Sequence, residues 1–292
     1  MTIRNFTHEA MATTWEFFVA AEASVPIDEA RRAAVREIDV LEGELTRFRP
    51  DSDIGRLNTL ATGESTRIGP AAMDCLLLAR DVHAATHGAF DVTVGPLFAC
   101  WISPDGSPRR PSRREVKDAA TRCGMHLLDL DPHAMRAGVR ADGMQIDLGG
   151  IGKGYALDQI AERWRHSFGF TNFLLNAGSS TVLACGPGPD GQGWPVRTGL
   201  AEQMTYLHDE ALSGSGTAAQ GAHIIDPRTC RPASLRRRDH VWVRTPVAAV
   251  SDAFSTAFLV LTPDEVTAVC ARHPEIQLVH SERYGKGPGG RI

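Results

Sequence analysis

The sequence has little of what marks membrane, zinc-thiolate and nucleic-acid-binding proteins. Its apolar runs all fall short of the ~18 residues that a membrane-spanning helix needs. It has no Cys-x-x-Cys pair, so neither a zinc site nor a disulfide framework is predicted. Its net charge is −4, and Lys and Arg are scattered apart from Arg236-Arg237-Arg238, which we interpret as a solvated loop. No nucleic-acid-binding surface is therefore expected.

The first residues also lack an export signal. Residues 1–5 have no apolar core of the kind that a signal peptide carries, and no lipid-attachment cysteine lies near the start. We therefore expect a cytoplasmic protein without a transmembrane segment. Because that compartment is reducing, the six dispersed cysteines are predicted to be reduced and mostly buried thiols. They are Cys75, Cys100, Cys123, Cys185, Cys230 and Cys270.

The chain does contain enough apolar material for a large core. Of its 292 residues, 42% are hydrophobic and 23% are charged, which fits an ordinary soluble domain. Predicted strands and helices are intermixed without the regular alternation of a doubly wound parallel sheet, so we expect an α+β fold with largely antiparallel strands. No repeat or low-complexity block divides the chain. We assign residues 1–284 to a single domain and residues 285–292 to a disordered tail.

Local signals place several of these elements. Apolar residues at helical spacing predict a long helix that starts after Pro26 and a second helix over residues 70–86. Ser112 and Thr262 each open a capping box, and Ser251 is interpreted as the N-cap of another helix. Strands are predicted at residues 13–20, 172–176, 181–185, 194–198 and 241–244.

The most informative stretch is residues 145–158, where a short apolar strand ending in Asp147 is followed by the turn Gly149-Gly150-Ile151-Gly152-Lys153-Gly154 and a helix. Glycines let backbone N–H groups approach an anion closely, and a helix N-terminus and a lysine add positive charge. This pattern indicates a phosphate site. It matches no standard phosphate loop, so a tight turn that binds nothing is the alternative.

A second group of polar side chains follows Ser251. Asp252, Ser255 and Thr256 stand at i, i+3 and i+4, so their oxygens share one face of the predicted helix. Three hard oxygen donors suit Mg²⁺, which keeps its remaining positions for water or phosphate. Ordinary capping of the helix is the alternative.

Two isolated residues remain open to two interpretations. Asp91 is a single carboxylate among apolar residues, and it is either a site residue or a turn and capping residue. His223 leads an apolar pair into Asp226-Pro227, and it is either a site residue or the end of a strand before a turn.

Taken together, seven motifs identify the resemblance. In chain order they are Ala10-Met11-Ala12-Thr13-Thr14; Phe48 with Pro50-Asp51-Ser52-Asp53-Ile54 and Arg56-Leu57-Asn58; Gly88-Ala89-Phe90-Asp91-Val92-Thr93-Val94-Gly95-Pro96-Leu97; Ile146-Asp147-Leu148-Gly149-Gly150-Ile151-Gly152-Lys153-Gly154-Tyr155; Asn176-Ala177-Gly178; His223-Ile224-Ile225-Asp226-Pro227-Arg228-Thr229; and Asp252-Ala253-Phe254-Ser255-Thr256-Ala257. In this order and over nearly its whole length, the chain resembles the FAD:protein FMN transferases, the ApbE-like family.

The resemblance implies an ApbE-like domain that takes FAD as substrate and, with Mg²⁺, joins FMN to a Ser or Thr of a target flavoprotein, releasing AMP. The dinucleotide-binding positions of the family correspond to Met11, Phe48, Ala89, Phe90, Asp91, Asp147, Lys153 and the chain at Ile225. Its metal ligands correspond to the Gly150 carbonyl, Asp252, Ser255 and Thr256. The base for the acceptor hydroxyl corresponds to His223.

The chain also departs from the family pattern. Ala12 stands where a Gly is usual, Ser179-Ser180 replaces a Gly-Asp pair, and Cys230 replaces the Gly after Asp-Pro-Arg-Thr. The segment between Ser213 and His223 is shorter than in many members. These departures bear on acceptor recognition more than on FAD or metal binding. The alternative functions are hydrolysis of FAD to FMN and AMP, and flavin binding without turnover.

Overall fold

The fold is built on antiparallel strands. The computed structural model describes residues 2–21, 26–198, 203–216, 224–233 and 240–282. The strands there are β1 (Thr2–Ala10), β2 (Thr13–Ala21), β3 (Ser65–Arg67), β4 (Leu128–Asp131), β5 (Arg136–Val139), β6 (Phe173–Ala177), β7 (Thr181–Cys185), β8 (Trp194–Thr198), β9 (Gln203–Leu207), β10 (Glu210–Gly216), β11 (Ile225–Asp226), β12 (Arg231–Pro232), β13 (His240–Thr245) and β14 (Gln277–Glu282). The largest sheet has the order β1-β2-β6-β7-β10-β13-β14, and every neighbouring pair is antiparallel.

Helices cover one face of this sheet. The helices of the described residues are α1 (Ile27–Leu45), α2 (Asp53–Leu57), α3 (Pro70–Ala85), α4 (Gly95–Trp101), α5 (Arg113–Ala120), α6 (Gly152–Phe168), α7 (Ala248–Val260) and α8 (Pro263–Arg272), and those that pack on the sheet include α6 and α7. Alternate residues of β2 point toward α6, where the fully buried Trp164 packs against Phe17 and Phe173 with ring centroids 5.9 and 5.2 Å apart. Helix α7 packs against β10 and β13 and also against α6. This places α6 and α7 side by side above the sheet.

The opposite face of the sheet carries a smaller apolar cluster. Leu174, Val182 and Leu212 pack there against Trp194 and Leu207, which belong to the β8–β9 hairpin. The remaining strands form a three-stranded sheet in the order β3-β5-β4 and the short hairpin β11–β12. The predicted α+β class with antiparallel strands is confirmed.

The local predictions that depend on neighbouring residues are confirmed. Helix α1 begins at Ile27, directly after Pro26, and α3 covers Pro70–Ala85. Ser112 and Thr262 each accept a hydrogen bond from the backbone of the third helical residue, whose Glu side chain bonds back, so both capping boxes form. The cysteines are free thiols, as expected, but only Cys75 and Cys185 are buried and the other four are half-buried.

The predicted strand at residues 145–147 is wrong. Gln145 forms only an isolated parallel bridge with Val94. The backbone of Ile146 is bound instead by the side chain of Asn58, whose Oδ1 accepts from the Ile146 N–H at 2.6 Å and whose Nδ2 donates to its carbonyl at 3.0 Å. On the other side of the segment, the Asp147 N–H donates to the Val92 carbonyl at 2.7 Å and the Gly95 N–H donates to the Gln145 carbonyl at 3.2 Å. The segment thus lies between a side-chain amide and a short stretch of backbone, and local sequence does not reveal this arrangement.

The interpretation of Ser251 as an N-cap is also wrong. Helix α7 begins at Ala248, one turn earlier, so Ser251 and Asp252 lie inside the helix. The fully buried Ser251 Oγ donates to the Ala248 carbonyl and lies 2.6 Å from Ser213 Oγ. The cap of α7 comes from a distant helix, which explains why a local pattern misplaced the helix start.

Three predictions fall outside the described residues. They concern His223, the loop at Arg236-Arg237-Arg238 and the tail at residues 285–292. In the part of the chain that the structure describes, no helix has both the length and the hydropathy needed to cross a membrane.

Candidate functional site

The glycine turn is held by its own side chains and by the first turn of α6. The Gly152 N–H donates to the Leu148 carbonyl at 2.8 Å, and the Gly149 N–H donates to Asp147 Oδ1 at the same distance. Lys153 folds back over the turn, and its Nζ donates to the Gly149 carbonyl at 3.0 Å. Asp147 and Lys153 therefore lie on opposite sides of one short loop, with the ammonium half-exposed beside the backbone.

Helices α6 and α7 cap each other. Asp158 of α6 accepts the N–H groups of Ala248 and Ala249, each at 2.8 Å, at the start of α7. In return, Asp252 of α7 accepts the Gly154 N–H at the start of α6, at 3.2 Å. The helices meet so closely that a Cβ on Gly154 would lie 2.3 Å from the Ala248 carbonyl oxygen, so only glycine fits. The crossing fixes where Asp252 stands relative to the glycine turn.

The environment of Asp158 perturbs its ionisation. Partial burial raises the pKa of this carboxyl from its ordinary 3.8 to about 6, and the two backbone N–H groups that it accepts only partly offset that rise. The charge of Asp252 raises the pKa of Asp158 further. Sequence reasoning missed Asp158. The only available signal was a lone carboxylate between apolar Leu157 and Ile160 of an otherwise amphipathic helix.

Thr256, one of the proposed metal ligands, lies beside Gly150. A Cβ on Gly150 would lie 3.3 Å from both Thr256 Oγ1 and Phe90 Cε2, so glycine lets the chain pass between these two side chains. Asp252 is 3% exposed, and its Oδ1 accepts no hydrogen bond from any described residue. A free carboxylate oxygen near a hydroxyl and a backbone carbonyl is a donor set that suits Mg²⁺. The residues present therefore fit such an ion.

Ser255 and Thr256 share two hydrogen-bond partners. Ser255 Oγ is fully buried, donates to the Asp252 carbonyl at 2.8 Å and lies 2.7 Å from Ser215 Oγ on β10. Thr256 Oγ1 donates to the same carbonyl at 3.4 Å. Ser215 Oγ also lies 3.3 Å from Thr256 Oγ1. Ser255 thus joins α7 to the sheet in this structure, and its assignment as a metal ligand stays a prediction. The described residues contain no cluster of three or more His, Cys, Asp or Glu side chains suited to a metal.

The segment at Ala89, Phe90 and Asp91 is buried directly beside Gly150. Asp91 is 7% exposed, and its Oδ1 accepts from Thr93 N and Thr93 Oγ1 at 2.8 and 2.6 Å. His83 Nδ1 donates to the Phe90 carbonyl at 2.9 Å and lies 3.4 Å from Asp91 Oδ2. Asp91 does form the turn that was the alternative interpretation, and it also contacts a histidine that the sequence analysis did not identify.

Phe48 is a large apolar side chain that remains 79% exposed. The guanidinium of Arg47 lies over its ring, 4.5 Å from the centroid, and pairs with Asp147 at 2.9 Å between Arg47 Nε and Asp147 Oδ2. Arg47 therefore connects the exposed aromatic ring to the glycine turn. Sequence reasoning also missed Arg47, because Asp147 lies far away along the chain.

Met11 and Ile225 lie at the ends of two hairpins. Met11 sits in the β1–β2 turn with φ +50°, and its N–H donates to Glu42 Oε1 near the end of α1 at 2.6 Å. Ile225 is buried in the β11–β12 hairpin and packs with Leu97. Met11 thus approaches the helix that ends just before Phe48, whereas Ile225 lies on the side of Asp91.

A cavity of about 190 Å³ separates Asp91 from the β11–β12 hairpin. His83, Asp91 and Cys123 line one side, and Arg228 and Cys230 line the other. Arg228 pairs with Asp226 at 3.2 Å and with Glu265 at 2.8 Å. Burial lowers the pKa of Arg228, but the hydrogen bonds and charges of these two carboxylates together outweigh it and raise the pKa overall. Asp91 and Arg228 therefore line one cavity.

Comparison with known proteins gives consistent relatives. The chain is 27% identical to the FAD:protein FMN transferase of Klebsiella pneumoniae (strain 342), over 89% of this chain and 79% of that protein. It is 26% identical to the FAD:protein FMN transferase of Escherichia coli (strain K12), over 90% of this chain and 80% of that protein.

Solved structures share the fold. The flavinyl transferase ApbE of Pseudomonas stutzeri, in its apo form, has a TM-score of 0.84 at 24% identity and covers 94% of this chain and 89% of its own. The apbe protein of Thermotoga maritima has a TM-score of 0.82 at 25% identity, with 97% of each chain covered. The sequence model of the ApbE family matches residues 11–280, which confirms the resemblance inferred from the motifs. The chain belongs to the ApbE family.

Proposed function

We propose that this chain is an FAD:protein FMN transferase that moves FMN from FAD to a Ser or Thr hydroxyl of a target flavoprotein and releases AMP. Relatives that carry this name support the prediction that it is an enzyme, a flavin transferase. The observation that carries the proposal is the meeting of the glycine turn, Phe90 and Thr256 at Gly150, with Lys153 and Asp252 on either side.

The proposed reaction breaks the phosphoanhydride bond of FAD and forms a phosphoester bond to the acceptor. The acceptor hydroxyl oxygen bonds to the phosphorus on the FMN side of the pyrophosphate, and the bond from that phosphorus to the bridging oxygen breaks. AMP leaves with the bridging oxygen, and the hydroxyl proton goes to a base. Phosphoryl transfer depends mainly on positioning and on neutralising charge, so the enzyme needs few chemically reactive groups.

Each group of site residues takes a part in this proposal. Phe48 packs against a flat ring and Lys153 neutralises phosphate charge, while Asp147 orders the turn between them. Met11, Ala89, Phe90, Asp91 and the chain at Ile225 complete the dinucleotide site. The Gly150 carbonyl, Asp252, Ser255 and Thr256 would hold Mg²⁺, which supplies charge neutralisation at the pyrophosphate. His223 accepts the hydroxyl proton.

One experiment separates the proposed reaction from its alternatives. A candidate flavoprotein is incubated with the enzyme, FAD and Mg²⁺, and the products are measured by mass spectrometry and chromatography. We expect the acceptor mass to rise by one FMN less one water, with one AMP released per transfer. Free FMN with AMP and an unmodified acceptor would show that the chain is a hydrolase. Unchanged FAD would show binding alone.

The location of the protein stays a prediction. We expect it in the cytoplasm with reduced cysteines, and fractionation of cells that express the native gene tests this. Recovery of an N-terminally processed protein outside the cytoplasmic membrane would contradict it.

A further inference from the structure

An open groove of about 650 Å³ lies beside the candidate site. One wall is α5, the other is the β11–β12 hairpin, and Trp101 at the end of α4 lies between them. The Trp101 ring is fixed because its Nε1 donates to the Cys230 carbonyl at 2.9 Å. Ala120 and Cys230 line both this groove and the cavity next to Asp91, so the two spaces are neighbours. The volume is typical of a binding site.

The groove has an unusual charge. Three cationic side chains line it: Arg113 and Lys117 of α5, and Arg231 of β12. None of these side chains forms an ion pair or a side-chain hydrogen bond with another described residue. The acids of α5 are engaged elsewhere: Glu115 closes the capping box with Ser112, and Asp118 pairs with Arg122. The groove is therefore positive in a chain whose net charge is −4.

Helix energetics explain Lys117 but not Arg113. Lys117 lies in the last turn of α5, where the helix dipole favours a cation, whereas Arg113 occupies the first turn, where the dipole disfavours one. Arg113 and Lys117 also stand at i and i+4, where like charges destabilise a helix. A cation held in the groove at a cost to the isolated helix is consistent with an anionic partner.

We propose that this groove binds an acidic, extended segment of the acceptor protein, and so brings a target hydroxyl to the neighbouring site. The inference rests on the proposed function, because the partner is the acceptor of the FMN transfer. Unpaired cations would meet Asp and Glu side chains, while Trp101 and Val116 supply an apolar floor for the peptide backbone.

Two charge-reversal variants test the proposal. The groove variant combines Arg113→Glu, Lys117→Glu and Arg231→Glu. The matched control combines Arg31→Glu, Arg32→Glu and Arg36→Glu, which make the same charge change on the exposed side of α1. Binding is measured by fluorescence anisotropy with a labelled peptide of Asp, Glu and Ser around a central Thr. The same peptide with Asn and Gln in place of the acids serves as the neutral probe. FAD affinity is measured on each protein.

We expect the groove variant to bind the acidic peptide about tenfold more weakly than wild type, because three charge pairs are reversed. The control should bind like wild type, and FAD affinity should be unchanged in both. Equal binding of acidic and neutral peptides by wild type, or equal loss in both variants, would overturn the proposal. Loss of FAD affinity in the groove variant alone would overturn it too, because the groove would then hold the nucleotide. FAD turnover is measured separately, so a failure of the transferase assignment is distinguishable from a failure of the groove.

Discussion

Asp158→Asn is the most informative change that this structure suggests. Asp158 accepts two backbone N–H groups of α7, whereas an Asn side chain has one acceptor oxygen and turns an NH₂ group toward the second N–H. The variant therefore loses one capping bond. It also loses a half-buried ionisable group whose pKa is raised to about 6. These two effects have opposite signs at neutral pH.

The magnitudes decide how the balance changes with pH. An acid with a folded-state pKa above its unfolded value contributes stability at low pH, and that contribution is lost as the pH rises through the folded-state pKa. For Asp158 the interval from 3.8 to about 6 corresponds to about 3 kcal/mol between the fully protonated and fully ionised ends. The capping bonds to Ala248 and Ala249 already lower the folded-state pKa, so they belong to this interval and are not a separate cost that is constant with pH. As the pH falls from about 8 to about 5, the wild type therefore gains about 1.4 kcal/mol of stability relative to Asp158→Asn.

The assay is chemical or thermal unfolding followed by tryptophan fluorescence, with a chelator present, from about pH 8 to about pH 5. We expect the unfolding midpoint of the wild type to rise by several degrees relative to that of Asp158→Asn as the pH falls, since about 1 kcal/mol shifts the midpoint by about 2–4 °C. Asp264→Asn is the matched control, because Asp264 lies exposed in the first turn of α8. A stability difference between wild type and Asp158→Asn that stays constant over this interval would refute the reasoning.

Three further predictions concern the proposed chemistry. Asp252→Asn keeps an acceptor for the Gly154 N–H but loses the charge, so the rise in thermal midpoint that Mg²⁺ gives the wild type should disappear. Asp252→Ala should in addition lower the free energy of unfolding by about 1–3 kcal/mol, because that buried N–H loses its acceptor. A full Mg²⁺-dependent shift in the Asn variant would exclude Asp252 as a ligand. His223→Asn should lower single-turnover transfer by on the order of 10²–10⁴ with FAD affinity nearly unchanged, and a rate within a few-fold of wild type would rule out the base role. Arg47→Ala loses the contact with the Phe48 ring and the partly exposed ion pair with Asp147, so it should weaken FAD binding by roughly five- to tenfold in equilibrium titration. Arg31→Ala is the control and should leave FAD binding unchanged.

Sequence reasoning succeeded where a structural role depends on neighbouring residues. The capping boxes at Ser112 and Thr262 involve residues three positions apart, and the glycine turn precedes its helix directly. It failed where the partner is distant. The amides that Asp158 caps lie 90 and 91 residues further along, so the start of α7 was misplaced at Ser251.

The same distinction applies to Asp252. With Ser251 as the predicted N-cap, Asp252 would lie in the first turn of the helix near solvent, where its replacement would cost little stability. The structure buries it against Gly154, 98 residues away, and gives it a hydrogen bond across two helices. Motif matching found Asp252 because the motif consists of neighbouring residues. Its contribution to stability depends on the crossing of α6 and α7, which the folded chain alone defines.

That crossing also determines which helix N-terminus is open to an anion. Each N-terminus carries a partial positive charge. At α7 the first N–H groups are satisfied by Asp158, so an incoming phosphate would meet a carboxylate there. At α6 only the Gly154 N–H is taken by a carboxylate, and the half-exposed ammonium of Lys153 lies over the turn. We therefore expect the pyrophosphate of the proposed reaction to bind at the start of α6, beside Gly150, where the carboxylate of Asp252 and the hydroxyl of Thr256 would share a cation with it.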